Sequence, residues 1–237
     1  MSTSPTSAPY RAHRERQRHR ILDAARKLFD RLGIDRIAVS EIVAAAGIRA
    51  STLYEYFSSK DEIVWALVEE HMRESAVRAS AALDAVKGTA LDKISALFHS
   101  AEDELLHHPE RVRFMAQFDA MYAHDWSVEQ LLAVEDRVSV GRLKGLESII
   151  RQGIADGSLR PDLNPRLTMH AVLNTLVGTQ RRLASLGPRV EKEYGKSVHQ
   201  LFRESTRILL LGLSAPMNKA HKSKPLSSSK ATSPKKR

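Results

Sequence analysis

One short stretch of the chain gathers side chains suited to recognising a polyanion. Positions 46–62 read AGIRASTLYEYFSSKDE and place Tyr54, Tyr56 and Phe57 within four positions, shortly before Lys60. A phenol can donate its hydroxyl to a phosphate and offer its ring to a thymine methyl group. A lysine beside the unpaired amides of a helix start can meet phosphate as well. The stretch therefore favours contact with nucleic acid.

Two short predicted helices position these side chains. Helical periodicity over about 39–46 and 50–57 flanks Gly47, which can turn the chain between them. Leu53 and Phe57 are four residues apart and share a face, which should be the inward one. Such a unit is a helix-turn-helix, whose second helix can enter the major groove and read base edges.

Positive charge is concentrated at the two ends of the chain. The net charge is +9; residues 1–60 hold eleven Lys and Arg against six Asp and Glu, and residues 216–237 hold seven against none. The stretch between them is therefore slightly acidic. Basic ends on such a body favour nucleic acid as the partner. For the C-terminal end, a solubilising or merely disordered tail is the alternative.

Composition excludes several classes of protein. The chain has no cysteine, so it has no disulfide, thiolate metal site or thiol nucleophile. No segment reads as a secretory signal or a membrane span, so we expect a soluble, cytoplasmic protein without a membrane partner. The ten histidines show no helical pair with an acidic partner, so we expect no metal. No phosphate loop, nucleotide fingerprint or nucleophile motif is present, so we expect neither a cofactor nor an enzyme.

The periodicity predicts an all-α protein of about nine helices. The first helix should run from about Arg14 to Leu32. Thr89 and Asn164 have the character of caps that open later helices, and Ser127 should open a long helix ending near Gly157. A last helix should end at Leu213, after starting at Val190 or Ser197.

Residues 21–63 carry a family resemblance. The segments ILDAARKLF, EIVAAAGI and TLYEYFSSKDEI, with a glycine after the first, closely resemble the DNA-binding domain of the tetracycline-repressor (TetR) family of bacterial transcription factors. The combination is more specific than a helix-turn-helix alone. The rest of the chain matches the family only in length, helix count and order.

The resemblance implies a homodimer that binds double-stranded operator DNA and a small-molecule effector. The implied parts are a disordered N-terminal arm (1–13), a helix-turn-helix DNA-binding domain (14–60), a helical effector-binding and dimerisation domain (61–214) and a disordered basic tail (215–237). The implied function is a ligand-responsive transcriptional regulator, in the first place a repressor. A palindromic operator would be released when a small apolar or aromatic effector binds.

The family pattern also suggests which residues contact DNA. Family members usually carry Thr or Ser at the positions of Ala38 and Arg49, so Ser40 could replace one phosphate contact. Arg49 could reach either a guanine or a phosphate. Five arginines precede Ile21, either as further phosphate contacts or as a solvated, frayed helix start. The candidate DNA contacts are Ser40, Arg49, Ala50, Ser51, Thr52, Tyr54, Tyr56 and Lys60.

The effector pocket and the dimer interface are assigned from apolar stripes. An aromatic and methionine stripe over 114–126 is either plain core or, by analogy with the family, part of a pocket. The pocket candidates are Trp65, Phe98, His99, Phe114, Phe118, Met121, Tyr122, Trp126, His170 and Asn174. The last two long helices should form a four-helix bundle with their copies. The interface candidates are Leu167, Val172, Leu176, Leu201, Phe202, Ile208 and Leu209.

The alternative to a specific regulator is a non-specific architectural DNA-binding protein. Basic tails alone give salt-sensitive binding to DNA of any sequence. Such a protein would prefer no palindrome and ignore small molecules, so sequence specificity separates the two functions.

Overall fold

The computed structural model describes residues 8–123, 128–138 and 142–216. Within these ranges the chain forms eleven α-helices and no β-strand, with one isolated antiparallel bridge between Leu159 and Ser214. The helices are α1 (Ala8–Leu32), α2 (Val39–Ala46), α3 (Ala50–Tyr54), α4 (Lys60–Asp84), α5 (Ala90–His107), α6 (Pro109–Tyr122), α7 (Val128–Val138), α8 (Arg142–Asp156), α9 (Pro165–Leu186), α10 (Arg189–Tyr194) and α11 (Val198–Leu213).

The all-α prediction is confirmed. The helix expected from Ser127 to about Gly157 is helical over both of its described parts, α7 and α8; Ser127 and residues 139–141 lie outside the described ranges. The last helix, expected to start at Val190 or Ser197, follows the second alternative: Ser197 caps α11, and Val190 lies in the separate short helix α10. Gly195 separates them because it adopts the left-handed conformation (φ 63°), which ends α10, and a new cap then opens α11.

Two helix ends also differ from the prediction. The first helix begins at Ala8, so the expected disordered arm over 1–13 is helical from residue 8 onward. Pro9 falls in the first turn, where its missing N–H has no intrahelical role, and good helix formers follow. The recognition helix α3 ends at Tyr54 rather than at Phe57. The rest of the expected arm and residues 217–237 of the expected tail are outside the described ranges.

Side-chain caps begin four of the long helices. The Ser59 hydroxyl accepts the Glu62 N–H at 3.2 Å and opens α4. Thr89 and Asn164 cap α5 and α9 as the sequence predicts. Ser197 and Gln200 form a reciprocal capping box at α11, whose bonds satisfy backbone donors that the first turn leaves unpaired.

The first hydrophobic core joins the N-terminal helices to α6. Ile21, Phe29, Ile42 and Leu53 are buried in it and come from α1, α2 and α3. Further members are buried residues of α4 and α6, namely Ile63, Val64, Leu67, Val68, Phe114, Met115 and Phe118. The helix-turn-helix is therefore packed directly on two helices of the larger body.

Two further cores hold the body together. One contains buried residues of α5, α8, α9 and α11, including Ile94, Phe98, Ile150 and Val172. The other lies at the opposite end of α9 and surrounds Phe202. In the described ranges, no helix has both the length and the apolar character needed to cross a membrane. No group of three His, Asp or Glu side chains there could hold a metal ion.

Candidate functional site

The helix-turn-helix rests on a tightly closed turn. Gly47 ends α2 with φ 59° and ψ 44°, a left-handed conformation that disfavours residues with a Cβ. The turn brings α3 against α2, with Ile42, Leu53 and Phe57 almost fully buried. The predicted inward face of Leu53 and Phe57 is thus confirmed, although Phe57 lies just beyond the helix.

The opposite face of α3 is open to solvent. Arg49, Ala50, Ser51 and Tyr54 are exposed, and the Tyr54 side chain keeps 55% of its surface accessible. Thr52 is half-buried, and Ser40 is exposed on α2; the structure gives neither side chain a hydrogen bond. These residues form one polar surface on a rigid apolar base, which is the arrangement needed to enter a DNA groove.

Neither short helix has a side-chain cap. Ala38 and Arg49 occupy the N-cap positions in extended conformation and make no capping bond. At α2 the Glu41 carboxylate accepts the Ala38 N–H at 2.8 Å, but alanine has no oxygen to accept a bond in return. No side chain occupies the amides of either first turn, so they can meet an anion, except that the Glu41 N–H already donates to the Ala38 carbonyl oxygen at 3.1 Å.

Lys60 has a structural partner that the sequence did not suggest. Its ammonium donates hydrogen bonds to the carbonyl oxygens of Ile34 and Ile37, both at 3.1 Å. These carbonyls belong to the loop between α1 and α2, so Lys60 ties the start of α4 to that loop. Two of its three donors are occupied within the chain, and at most one remains for the predicted phosphate contact.

Two arginines of α1 cover the aromatic residues behind α3. The Arg14 guanidinium lies 5.4 Å from the ring centre of Tyr56, and Arg18 lies equally far from the ring of Phe57. Tyr56 is half-buried and packs against the first core. Its ring is therefore a support for α1, and Tyr54 is the tyrosine of this stretch that faces solvent.

Helix α6 contacts the DNA-binding region at a second point. The Gln117 amide oxygen accepts the Ile34 N–H at 3.0 Å. Nearby, the rings of Phe29 and Phe114 stack with centres 6.2 Å apart. A shift of α6 would therefore move α1 and the loop that Lys60 also holds.

The aromatic stripe predicted as a pocket lies mainly in the cores. Phe114 and Phe118 are buried in the first core, and Trp65 packs edge to face on Phe118 with ring centres 4.9 Å apart. Met121 packs against the same core, and Phe98 is buried in the second. The three polar candidates His99, His170 and Asn174 are exposed. The Tyr122 side chain and Trp126 lie outside what the structure describes.

A large cavity lies elsewhere, between α4, α5, α8 and α9, with the end of α7 at its edge. Its volume is about 530 Å³, within the range of small-molecule sites. None of the eight predicted pocket residues with described side chains lines it. Small side chains create the space: Ser75, Ala76, Ala79, Ser80, Ser100, Ala101 and Gly145. Apolar side chains complete the wall: Val77, Leu83, Leu97, Val138, Leu146, Leu173, Leu176 and Val177.

Charged residues of α4 and α5 also line the cavity. Arg78 forms a short ion pair with Glu104, which is buried and also lines the cavity. Burial raises the pKa of Glu104, while the Arg78 guanidinium acts in the opposite direction. Burial, reinforced by Arg78, lowers the pKa of His71 to about 3, so His71 is neutral near pH 7 and the 3.9 Å contact with Glu104 is not an ion pair there.

The predicted dimer residues fall into two groups. Val172 and Phe202 are buried within the subunit and cannot face a partner, while Leu176, Leu201 and Leu209 are half-buried. Leu167 and Ile208 are 68% and 59% exposed, and Leu211, which the sequence analysis did not select, is 60% exposed. Three large apolar side chains are thus open to solvent on α9 and α11. The same helices carry Gly178 and Gly212, where an added Cβ would meet nothing.

Comparisons with known proteins agree with this arrangement. Residues 21–67 match the family described as bacterial regulatory proteins, tetR family. The HTH-type transcriptional repressor KstR2 of Mycolicibacterium smegmatis is 27% identical over 180 residues, which cover 76% of this chain and 85% of the repressor.

Solved structures share the fold over most of the chain. The ketosteroid transcriptional regulator KstR2 of Mycobacterium tuberculosis superposes with a TM-score of 0.61 at 24% identity, covering 84% of this chain and 95% of that protein. The regulator FadR of Bacillus subtilis, in complex with stearoyl-CoA, gives 0.62 at 22% identity, with 82% and 98% covered. At these identities the superpositions establish the fold.

Proposed function

We propose that this chain, which belongs to the TetR family of bacterial regulatory proteins, represses transcription in the cytoplasm by binding a palindromic operator as a homodimer. The proposal rests mainly on the exposed surface of α3, which carries Arg49 and Tyr54 and is supported by buried apolar residues. This part of the chain lies within the residues that match the family. The relatives in this family are transcriptional repressors, and the chain is a regulator rather than an enzyme.

A dimer is needed because one helix-turn-helix contacts only one half-site. The exposed Leu167, Ile208 and Leu211 give α9 and α11 an apolar face that pairing with a second copy would bury. Twofold symmetry then requires an inverted repeat, with half-sites separated by about 34–36 Å or a multiple of that spacing.

The cavity between α4, α5, α8 and α9 is the proposed effector site. Its wall is mostly apolar, which suits a lipophilic molecule. The complex of FadR with stearoyl-CoA supports a lipophilic effector for a protein of this fold. Among the residues described, no predicted aromatic contact lines the cavity, so its shape favours a flexible chain or a compact apolar body over a stacked ring.

Helix α4 connects the cavity to the DNA-binding region. Its second half lines the cavity from Arg73 to Leu83, and its first residue, Lys60, holds the loop before α2. The helix has 25 residues and spans about 37 Å, so a small rotation at the cavity displaces the far end. An effector would thereby change the spacing of the two recognition helices, with a coupling of about 1–3 kcal/mol.

Selection from a random DNA library tests the proposed function. The purified full-length protein is incubated with the library at about 150 mM salt, and the bound DNA is sequenced. We expect an enriched inverted repeat. Salt-sensitive binding without enrichment would instead indicate an architectural DNA-binding protein, and the absence of any binding would contradict the assignment of α3.

Arg49→Ala should weaken binding to the operator by removing the recognition of one base. Arg49 is exposed at the start of α3 and has no ion-pair partner among the described residues, so its guanidinium can reach a guanine edge. We expect a loss of about 1–3 kcal/mol for operators with the preferred base and little loss for operators changed there. Binding is measured on a panel of single-base operator variants, with Arg189→Ala on α10 as control. An equal loss on every operator would leave Arg49 only a phosphate contact.

A further inference from the structure

Two arginines at the rim of the cavity share a single carboxylate partner. Arg73, which lines the cavity, pairs with Glu69 at 2.8 Å between Nη2 and Oε1. Arg137, next to the cavity residue Val138, pairs with the other oxygen of the same carboxylate at 3.4 Å. Two guanidinium groups from α4 and α7 therefore share one carboxylate, and neither has a second ion-pair partner among the described residues.

The other two charged residues that line the cavity, Arg78 and Glu104, pair with each other. Beside them, Arg111 pairs with Glu74 at 2.8 Å. Farther along α4, Arg26 of α1 pairs with Glu70 at 2.8 Å. His71, between these pairs, is neutral near pH 7. Both rim arginines, by contrast, are more than half exposed and therefore open to a ligand.

We infer that the effector is a lipophilic anion whose acidic group binds Arg73 and Arg137 while its apolar part fills the cavity. The inference rests on the proposed effector site and adds the chemical class of the ligand. A carboxylate or phosphate would complete a balanced set of two anions and two arginines, and the planar guanidinium favours such oxygen acceptors. The 530 Å³ apolar chamber directly behind the rim would take the rest of the molecule.

Binding of this kind also gives α7 a role. Helix α7 packs against α4, and Val138 at its end reaches the cavity. An anion held by both arginines would bridge the two helices at the rim. The bridge would draw α7 toward the part of α4 that lines the cavity and close the entrance over the apolar chain.

Three probes with the same alkyl chain and different head groups test the inference. Dodecanoate, dodecyl phosphate and dodecanol are titrated into the full-length protein by calorimetry, each as a monomeric solution. We expect one site per chain for an anionic probe and about tenfold weaker binding of the alcohol, the scale of a charge-assisted hydrogen bond. The stronger of the two anions identifies whether a carboxylate or a phosphate fits the rim.

Two variants locate the site. The double substitution Arg73→Gln and Arg137→Gln should remove the preference for the anion and leave dodecanol binding unchanged. Arg151→Gln on α8 is the matched control, because that arginine is also exposed but pairs one to one with Glu147. Ala76→Phe should weaken all three probes by filling the chamber that Ala76 lines.

The outcomes separate this inference from the proposed function. If dodecanol binds as tightly as dodecanoate, the anion site is wrong while a lipophilic effector site stands. If the anion preference survives in the double variant, the rim arginines are not its source. If no probe binds, both the anion site and the use of the cavity for such effectors fail, and operator selection still tests DNA binding independently.

Discussion

Replacing Ile208 and Leu211 together with glutamate should convert the protein to monomers and abolish tight operator binding. Both side chains are about 60% exposed on α11 and lie one turn apart, on the face proposed to meet a second copy. In a twofold dimer both subunits bury their own copies of the two residues, which makes four buried side chains. Burying one large aliphatic side chain contributes about 1.5–3 kcal/mol. Loss of four such contacts would weaken association by about 6 kcal/mol or more, roughly four powers of ten.

The measurement pairs sedimentation with a gel-shift titration. The parent protein should sediment as a dimer and the double variant as a monomer at micromolar concentration, and affinity for the inverted repeat should fall to that for a single half-site. Leu132→Glu is the matched control, because Leu132 is also exposed, at 52%, but lies on α7, outside the proposed interface. A double variant that remains dimeric with full operator affinity would place the interface elsewhere.

The sequence was most informative where local chemistry decides the structure. Gly47 marks a helix end because it lacks a Cβ, Thr89 and Asn164 mark helix starts because their side-chain oxygens can cap, and the structure has all three ends. The inward face of Leu53 and Phe57 was equally predictable from their four-residue spacing, even though Phe57 lies just beyond the end of α3.

Cavities are harder to predict from a sequence, because no residue type marks empty space. The sequence analysis sought the pocket among large aromatic residues, but Phe118 and Trp65 fill the core that joins α4 to α6. The cavity is instead created by small residues on facing helices. The segment SAVRASAA over 75–82 in α4, in which six of eight residues are Ser or Ala, lies opposite Ser100 and Ala101 in α5 and is the signal that could have indicated the cavity.

The dimer face was ambiguous because α11 is apolar on several sides near its end. The segment ILLLGL offers no polar residue to set the helix phase, so sequence alone could not separate the face toward the core from the face toward solvent. Leu213 is buried, whereas Leu211 is exposed. Contacts with α5 and α9 determine this phase, and those contacts connect residues far apart in the chain.

Phe118→Ala should lower the free energy of unfolding by about 3–5 kcal/mol, the usual loss for a fully buried phenylalanine. Phe118 has no exposed surface and contacts Trp65 edge to face, in the core shared by α1, α2, α3, α4 and α6. Its removal leaves a void where the DNA-binding region meets the body. Urea unfolding followed by circular dichroism measures the loss, and Ala120→Gly, at an exposed position of the same helix, controls for helix propensity at about 1 kcal/mol.

A second substitution of Phe118 distinguishes a role in the hydrophobic core from a role in the effector pocket. Phe118→Leu retains most of the buried volume, so it should fold, cost less than the alanine variant and leave binding of dodecanoate unchanged, because Phe118 does not line the cavity. If Phe118 contacted the effector, the leucine variant would instead lose ligand affinity while keeping its stability. That result would place the effector site at the aromatic stripe and contradict its assignment to the cavity between α4, α5, α8 and α9.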